Sequence, residues 1–408
     1  MSHNDVKLWS PQYSLAIFLT FTFFLGLHML NAGFPVFVTE LSDNPAIGGT
    51  MMTAFMGASL LVRPFVGLFL HKIPIKKALI LTLIFLFICI FLSYGKTSIP
   101  FLIFIRIAEG FSFGIITTLL ATFVTLNIPG NRTGEGIGYF GMATSLGASL
   151  APSVALFIFH LFSFNSLLLL ALLLVLGIIC FSFFIRNVHS ISQPKKDHHP
   201  RCFGTVIQLI FDKKALLPSI LVFLLCITFA GVFNFIDGLG GETGLGANIT
   251  LFFIIFMIIM VFIRPISGKI FDQKGHKILI LPASLSGIIG LLLLSVTNNV
   301  WTLIIAAIFY GVAYGTIHPT LQSWAVCQVN PAKKGVANAM ILNGMDLGMA
   351  LGSPTLGMVA GHIGYKLMFG FSSLCLVFLL LIYLFMGRRV KKLKIEAVHE
   401  GVEERLRG

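Results

Sequence analysis

Long apolar runs alternate with short polar connections along the whole chain. Twelve such runs occur, and each is close to the ~20 residues that a helix needs to cross the hydrocarbon core of a bilayer. Continuous apolar stretches such as 166–181 lack the polar alternation of membrane β-strands. The pattern therefore predicts helices over 13–38, 47–70, 76–95, 99–125, 136–160, 164–186, 215–238, 247–271, 277–297, 300–325, 335–361 and 365–387.

The second half of this pattern repeats the first. The segment from Arg63 to Leu79 returns 201 positions later as Arg264 to Ile280. A repeat of this length predicts a duplicated architecture of two related halves. The matched pairs at this offset are Arg63 and Arg264, Pro64 and Pro265, Gly67 and Gly268, Lys76 and Lys277, Gly110 and Gly311, and Gly114 and Gly315.

Composition supports a bilayer as the solvent. Hydrophobic residues make up 57% of the 408 positions and charged residues only 11%, whereas a soluble protein carries about 25% charged residues. Forty glycines also suit closely packed membrane helices. We expect an all-α integral membrane protein with 12 transmembrane helices in two pseudo-symmetric six-helix bundles.

Charge distribution predicts the orientation. The net charge of +13 would suggest a nucleic-acid partner in a soluble protein. Here 23 of the 28 Lys and Arg residues fall on one side of the predicted topology. Cytoplasmic connections carry such an excess of cations. We therefore expect a multi-pass protein of the inner or plasma membrane with both termini in the cytoplasm, and no nucleic-acid partner.

One long polar connection divides the chain. We predict an N-terminal six-helix half over 1–190, a cytoplasmic linker over 191–213, a C-terminal half over 214–387 and a cytoplasmic tail over 388–408. The run at 13–38 is too long for the apolar core of a signal peptide, so we interpret it as a retained span. The six cysteines have no metal-ligand spacing. We expect no metal and no cofactor.

Charged residues inside predicted spans are the main candidates for function. Each costs about 2.5–3.5 kcal/mol on insertion scales, so such residues usually face the protein interior and act there. Arg106 and Glu109 lie three positions apart and share a helix face. They form either a proton-responsive pair or a structural salt bridge. Asp346 is a candidate for proton coupling or substrate binding, and Asn31 and His318 are further polar candidates, although His318 also suits a packing role.

Loop and glycine patterns give two further groups. The candidate gating loops contain Arg63, Gly67, His71, Lys72 and Lys76 in the first copy and Arg264, Gly268, Asp272, Gly275 and Lys277 in the second. Small residues at helical spacing predict close helix packing. The packing candidates are Gly110, Gly114, Gly138, Gly147, Pro152, Gly311, Gly315, Gly348, Gly352 and Pro354.

These residues resemble the major facilitator superfamily over nearly the whole chain. The family's loop signature G-x-L-A-D-R-x-G-R-K-x-x-L matches the second copy at Gly268, Asp272, Gly275 and Lys277, while the first copy has His71 at the Asp position. Arg106, Gly110 and Gly114 resemble the signature of helix 4, and helix 5 resembles that of drug/proton antiporter-type exporters. The patterns at 318–321 and 346–348 look loosely like those of metallophore exporters.

The resemblance implies alternating access, in which two halves rock about a central site. It also implies that the signature Asp faces a helix terminus and latches the outward-open state. We predict a monomeric secondary transporter, not an enzyme, whose partners are the lipid bilayer, a small-molecule substrate and protons. Proton-coupled export of a small organic molecule is the first interpretation. The alternatives are a proton symporter that imports a sugar, peptide or organic acid, and a non-transporting membrane sensor or channel.

Overall fold

The computed structural model describes residues 8–42, 45–70, 73–186 and 211–407, and these residues form helices and connections without a β-strand. Apolar runs dominate every helix, because only a helix satisfies its own backbone in an apolar solvent. The long helices are α1 (Pro11–Ser42), α2 (Pro45–Leu70), α3 (Ile75–Ser93), α4 (Ile99–Asn127), α5 (Thr133–Leu161), α6 (Phe164–Ser182), α7 (Lys213–Thr243), α8 (Thr250–Lys274), α9 (Lys277–Ser295), α10 (Val300–Gln328) and α11 (Lys334–Arg407).

Polar and glycine residues set the helix ends. The Ser163 hydroxyl accepts a 3.2 Å hydrogen bond from the backbone N–H of Ser166 at the start of α6. Asn299 caps α10 in the same way. Gly275 ends α8 with a φ of 73°, a conformation that favours glycine. Gly364 has a φ of 83° inside α11, so that helix is broken into two consecutive segments.

The helices have the length and surface of membrane spans. Within the described residues, ten helices are long and apolar enough to cross a membrane, and one of these, Pro331–Phe385, contains the break at Gly364. Helix α2 adds a shorter apolar stretch, Thr50–Val66. Large apolar side chains point outward, with Leu173 66% and Phe262 67% exposed. Such a surface suits contact with lipid acyl chains.

Several helices extend beyond the predicted spans, whereas α3, α6 and α9 end two to four residues before the ends predicted at 95, 186 and 297. The span predicted at 13–38 lies inside α1, Pro11–Ser42. The helix continues beyond the apolar run because the hydrogen-bond ladder extends into polar flanking residues. The spans predicted at 335–361 and 365–387 both lie in α11, and Gly364 separates them.

Residues 187–210 connect α6 to α7, and we call the face where α6 ends and α7 begins the linker face. Helix α1 also begins there, because Gln12 accepts from the Arg186 N–H at 3.0 Å and donates to the Phe184 carbonyl at 3.1 Å. Helix α11 begins at the same face, where Lys333 forms a 3.1 Å ion pair with Asp212. The linker face therefore gathers segments of both halves of the chain.

The sequence repeat is also a repeat of contacts. Helices α2 and α4 pack together in the first half, and α8 and α10 pack together in the second. Glycines on α4 and α10 allow this approach at positions that differ by 201 residues. Gly110 lies against Phe55 and Ala58, Gly114 against Ser59 and Val62, Gly311 against Phe256 and Ile259, and Gly315 against Met260 and Ile263.

Helix α5 crosses α8 at close range between the two halves. Gly134 lies against Gly268, and Gly141 lies against the Arg264 side chain. A Cβ atom on Gly138 would stand 2.5 Å from the Arg264 carbonyl oxygen and 3.0 Å from its carbonyl carbon. Backbone atoms cannot rotate away as a side chain can. The approach of α5 to α8 therefore depends on these glycines.

We expect Gly138→Ala to destabilise the protein by about 1–3 kcal/mol through overpacking against the α8 backbone. The matched control is Gly177→Ala in α6, where nothing lies within 4 Å of an added Cβ. The control should be neutral or slightly stabilising, because Ala favours a helix over Gly by about 1 kcal/mol. Thermal unfolding of both detergent-purified variants measures the difference. Equal melting temperatures would show that the α5–α8 contact tolerates a side chain.

Candidate functional site

A buried ion pair joins the two halves between the linker face and the middle of the helices. Arg63 of α2 and Asp346 of α11 approach to 3.2 Å between Nη1 and Oδ2. The Arg63 side chain is fully buried and that of Asp346 is 6% exposed. The Ser59 hydroxyl lies 3.5 Å from the same carboxylate oxygen. Because a buried charge is costly unless it is paired, this contact ties α2 to α11.

The Phe113 ring completes the surroundings of this pair. The Arg63 guanidinium lies 5.7 Å from the ring centroid, within the range of a cation–π contact. Yet Nε, Nη1 and Nη2 of Arg63 have no partner of hydrogen-bond geometry. Charge and packing therefore hold the pair together, and the N–H groups of Arg63 remain free to donate hydrogen bonds.

A second buried guanidinium, Arg264 of α8, lies at the equivalent place between α8 and α5. It donates to the Gly141 carbonyl and to the Met260 sulfur, the latter at 3.4 Å. None of the ion pairs among the described residues includes Arg264, and its Nε has no hydrogen-bond partner. Arg264 is 4% exposed. The two halves therefore meet at two buried guanidinium groups, of which Arg63 has a carboxylate partner and Arg264 has none among the described residues.

His318 of α10 is part of the surroundings of Arg264. It is 9% exposed, and its Nε2 has no hydrogen-bond partner. Its ring stacks on Tyr314 with centroids 5.8 Å apart. Helix α10 packs against both α8 and α5, and Gly315, three residues before His318, lies against Met260 and Ile263 of α8. His318 therefore belongs to the interface between the halves, in addition to its packing contact.

The third buried guanidinium, Arg106 of α4, lies inside the first half. It donates to Glu109 at 2.6 Å and to the Asn31 side-chain oxygen at 2.5 Å. Its guanidinium faces the rings of Phe34 and Phe55 at 4.8 and 4.3 Å. Both charged side chains are fully buried. The structure brings together the three predicted residues Arg106, Glu109 and Asn31, but encloses them with aromatic rings.

Nearer the linker face, the Asp272 carboxylate caps the start of α5. It accepts hydrogen bonds from the backbone N–H groups of Gly134 at 2.6 Å and Glu135 at 2.8 Å. A carboxylate is favourable there because a helix N-terminus exposes unpaired N–H groups and carries partial positive charge. Glu135 in turn pairs with Arg132 at 2.6 Å and Lys269 at 3.6 Å. These contacts join α8 to α5.

A polar cluster makes a further contact between the halves at the same face. The Lys334 ammonium donates to the Thr125 carbonyl at 2.8 Å. The Asn338 amide donates to the Thr125 hydroxyl at 3.1 Å, and Gln322 donates to the Asn338 oxygen at 3.0 Å. Helices α4, α10 and α11 are thereby connected where α4 ends and α11 begins.

Two titratable groups lie in connections at the linker face. Burial acts to raise the pKa of Asp212, but the Lys214 N–H and the Lys333 ammonium outweigh it and hold that pKa below its usual range. Burial against Trp324, with Lys277 nearby, lowers the pKa of His276 to about 4. His276 is therefore neutral at physiological pH, and its ring nitrogen bonds the Tyr383 hydroxyl at 2.8 Å.

The remaining predicted residues fall in two groups. His71 and Lys72 lie outside the described residues, and Gly67 lies in α2. Lys76 donates to the Phe183 carbonyl, Gly275 ends α8, and Lys277 begins α9. The glycines of α5 and α11 face neighbouring helices, with Gly147 against α1 and Gly348 and Gly352 against α7, while Pro152 and Pro354 lie inside α5 and α11.

Sequence reasoning missed several polar residues of the interface. Thr125, Asn338, Gln322 and Lys334 carry no charge pattern that distinguishes them within a hydrophobic chain. The sequence repeat could have identified Ser145, because this residue precedes Asp346 by the repeat offset of 201. Its hydroxyl lies 3.9 Å from the Met260 sulfur, between α5 and α8.

A protein family and individual known proteins are similar to this chain in sequence. The family model described as Major Facilitator Superfamily matches residues 16–326 and 275–406. The staphylopine export protein of Staphylococcus aureus is 24% identical over 362 residues, which cover 86% of this chain and 90% of the relative. The multidrug resistance protein MdtG of Salmonella paratyphi C is 30% identical over 169 residues, covering 40% of this chain and 42% of the relative.

Solved structures show the same fold. The human organic anion transporter MFSD10 (TETRAN) superposes with a TM-score of 0.78 at 16% identity, covering 91% of this chain and 99% of its own. The transporter FucP in its outward conformation superposes with a TM-score of 0.75 at 13% identity, covering 93% and 99%. Both family-model matches together span most of the chain. The protein belongs to the Major Facilitator Superfamily, and it is a multi-pass membrane transporter, not an enzyme.

Proposed function

We propose that the protein exports a small organic molecule by proton-driven alternating access. The observation that carries this proposal is the buried Arg63–Asp346 ion pair, which joins the halves at 3.2 Å. A carboxylate that loses its charge on protonation can release such a contact, so proton binding and separation of the halves become one event.

The proposed architecture has twelve spans in two six-helix halves, 1–190 and 214–387, joined by a linker over 191–213 and followed by a tail over 388–408. The repeated α2–α4 and α8–α10 contacts support two equivalent halves. The linker face would be cytoplasmic, together with both termini, as the distribution of Lys and Arg favours. We propose a monomer in the inner or plasma membrane as the working unit.

In this orientation we propose that the contacts between the halves belong to an outward-facing state. The inter-half contacts at Asp272, Thr125, Arg264 and Asp346 all lie between the linker face and the middle of the helices. Closure of the cytoplasmic side with opening of the outer side is one half of an alternating-access cycle. Opening inward would require every one of these contacts to separate.

Asp346 would be the coupling acid. In the outward-facing state it is held by Arg63, with Ser59 beside the same oxygen. A proton entering from outside neutralises Asp346 and weakens its attraction to Arg63, which permits the inward opening. One charge crossing 100 mV is worth about 2.3 kcal/mol, so one or two protons can drive a substantial gradient.

Arg106 and Glu109 would form a second coupling position inside the first half. Glu109 Oε1 and Asn31 Nδ2 have no hydrogen-bond partner. Glu109 Oε1 can accept a proton, and Asn31 Nδ2 can donate a new hydrogen bond, without breaking other contacts. The enclosing Phe34 and Phe55 rings support a role in tuning the charge of the pair in place of direct substrate contact.

Two relatives support export as the direction. The staphylopine export protein covers most of this chain at 24% identity, and the MdtG multidrug resistance protein covers less than half of it at 30% identity. The resemblance of α5 to antiporter-type exporters points the same way. Untargeted metabolite profiling of a deletion strain tests the direction, because an exporter's substrate accumulates inside the cells and disappears from the medium. The reverse distribution would favour an importing symporter.

We expect Asp346→Asn to abolish transport driven by a pH gradient while preserving exchange of labelled for unlabelled substrate in proteoliposomes. The amide cannot carry a proton across. Loss of the buried partner of Arg63 should also cost about 3–5 kcal/mol of stability. Arg63→Gln combined with Asp346→Asn is the control, because it removes both charges and should recover stability without recovering proton-driven transport. Intact gradient-driven transport in Asp346→Asn would exclude this residue from coupling.

We expect Glu109→Gln to leave substrate exchange measurable and to reduce gradient-driven transport, because Arg106 then loses its only anionic partner among the described residues. Asn31→Asp is the informative companion, since it supplies a carboxylate to the same guanidinium from α1. Partial recovery of gradient-driven transport in the double variant would establish the charge requirement. Normal coupling in Glu109→Gln alone would make the pair a structural salt bridge.

We expect Asp272→Ala to shift the protein toward the inward-facing state, because the start of α5 loses its cap, worth about 0.5–2 kcal/mol. Asp212→Ala is the matched control: Asp212 caps α7 through the Lys214 N–H but does not join the halves. Labelling of Thr122→Cys by an impermeant thiol reagent from the cytoplasmic side measures the opening. Equal labelling rates in both Ala variants would contradict a latch at Asp272.

A further inference from the structure

Arg264 occupies the position of Arg63 in the duplicated half, and the equivalence extends to its neighbours. Ser59 and Met260 differ by 201 positions, and so do Ser145 and Asp346. The equivalent atoms also meet in space. Ser59 lies 3.5 Å from the Asp346 carboxylate, and Met260 lies 3.9 Å from the Ser145 hydroxyl. The two arrangements are copies of one site that differ in their side chains.

The copy around Arg264 has no acidic residue at the position equivalent to Asp346. Where the first site holds the Asp346 carboxylate, the second holds the neutral hydroxyl of Ser145. Arg264 retains only a backbone carbonyl and a thioether sulfur as partners, and its Nε has none. An unpaired guanidinium at 4% exposure is unfavourable in the absence of an anion. The second site therefore contains a buried cation without the anionic partner that Arg63 has in the first site.

The surroundings of Arg264 suit an anionic group. His318 Nε2 is a second buried nitrogen without a partner. The Tyr314 ring stacks on the His318 ring with centroids 5.8 Å apart. The absence of a side chain at Gly141 lets the Arg264 guanidinium approach α5, because a Cβ there would stand 2.6 Å from its Nη1. Ser145 adds a hydroxyl donor at the place of the missing acid.

The location also suits a transported group. Helix α5 begins at the linker face, and Ser145 lies twelve residues along it, level with Asp346 on α11. Contacts closer to the linker face, such as Asp272 with the start of α5, close the path on that side. In an exporter, a molecule that has bound at Arg264 from the cytoplasmic side would leave toward the opposite face while those contacts are closed.

We propose that Arg264, together with Ser145 and His318, binds a carboxylate group of the transported molecule, which takes the place that Asp346 fills in the other half. Guanidinium and carboxylate match in planar, two-point hydrogen-bond geometry. This inference deepens the proposed function and rests on it: the exported molecule is a carboxylic acid or a zwitterion. The carboxylate supplies the missing charge, so binding compensates the cation.

The first test needs no knowledge of the substrate. In a variant with the six native cysteines replaced, Ser145→Cys reacts with three methanethiosulfonates in turn: anionic sulfonatoethyl, cationic trimethylammonioethyl and neutral methyl. The neutral reagent normalises access. We expect the ratio of anionic to cationic rate to fall about tenfold when Arg264→Gln is added, which corresponds to about 1.4 kcal/mol. An unchanged ratio would overturn the proposal, and so would failure of Ser145→Cys to react with the neutral reagent.

The second test restores the missing acid from within. Ser145→Asp gives Arg264 an internal carboxylate, as Asp346 does for Arg63. We expect this variant to melt at a higher temperature than the parent and to lose stabilisation by benzoate. Benzamide, the neutral counterpart of the probe, should stabilise neither protein. Because Ser145→Asp retains Arg264, the result does not depend on the folding of Arg264→Gln. Equal stabilisation by benzoate in the parent and in Ser145→Asp would contradict an anion site at Arg264.

Both measurements use protein in detergent without a proton gradient, so they separate this inference from the proposed function. If gradient-driven export fails while the charge-dependent labelling and the benzoate effect persist, the anion site stands and the coupling proposal falls. If export is confirmed and the labelling ratio is insensitive to Arg264→Gln, the anion site falls alone.

Discussion

The cost of burying charge in an apolar interior governs this structure. Three guanidinium groups lie inside the helices, each at most 4% exposed, and each is stabilised differently. Arg106 has a carboxylate on its own helix and two aromatic faces. Arg63 takes its carboxylate from the other half of the chain. Arg264 has only a carbonyl and a sulfur. These differences determine which helices are held together, and they leave Arg264 without an anionic partner among the described residues.

Packing in the two halves follows the duplication closely, while charge does not. Glycines on α4 and α10 meet equivalent positions of α2 and α8, so the backbone arrangement is shared. The sequence differs in charge at the same places: Asp272 caps α5 in one copy, whereas the equivalent position in the sequence of the other copy is His71. A shared frame with unequal charges allows two halves to move alike and bind differently.

Much of the fold could be predicted from sequence, because the length of an apolar run reflects the thickness of the bilayer that a helix must cross. The break at Gly364 fell between the last two predicted spans, and the glycines of α11 faced α7 as their spacing indicates. The candidate site was harder. Arg106 and Glu109 were found because helical spacing is local. The partner of Arg63 lies 283 positions away, and neither periodicity nor spacing reports on contacts between halves. The repeat offset carried that information in part, since it relates Asp346 to Ser145.

The unpaired Arg264 has an electrical consequence. A carrier that bears one uncompensated positive charge when empty, and none when it holds a monoanion, presents a different net charge to the membrane field in each direction of its cycle. The field exerts up to about 2.3 kcal/mol per charge for each 100 mV traversed. The voltage would then act mainly on the return of the empty carrier. With Ser145 in place of an acid, the proposed site would add one positive charge to the substrate-free return step, beside the charge of the proton carried by Asp346.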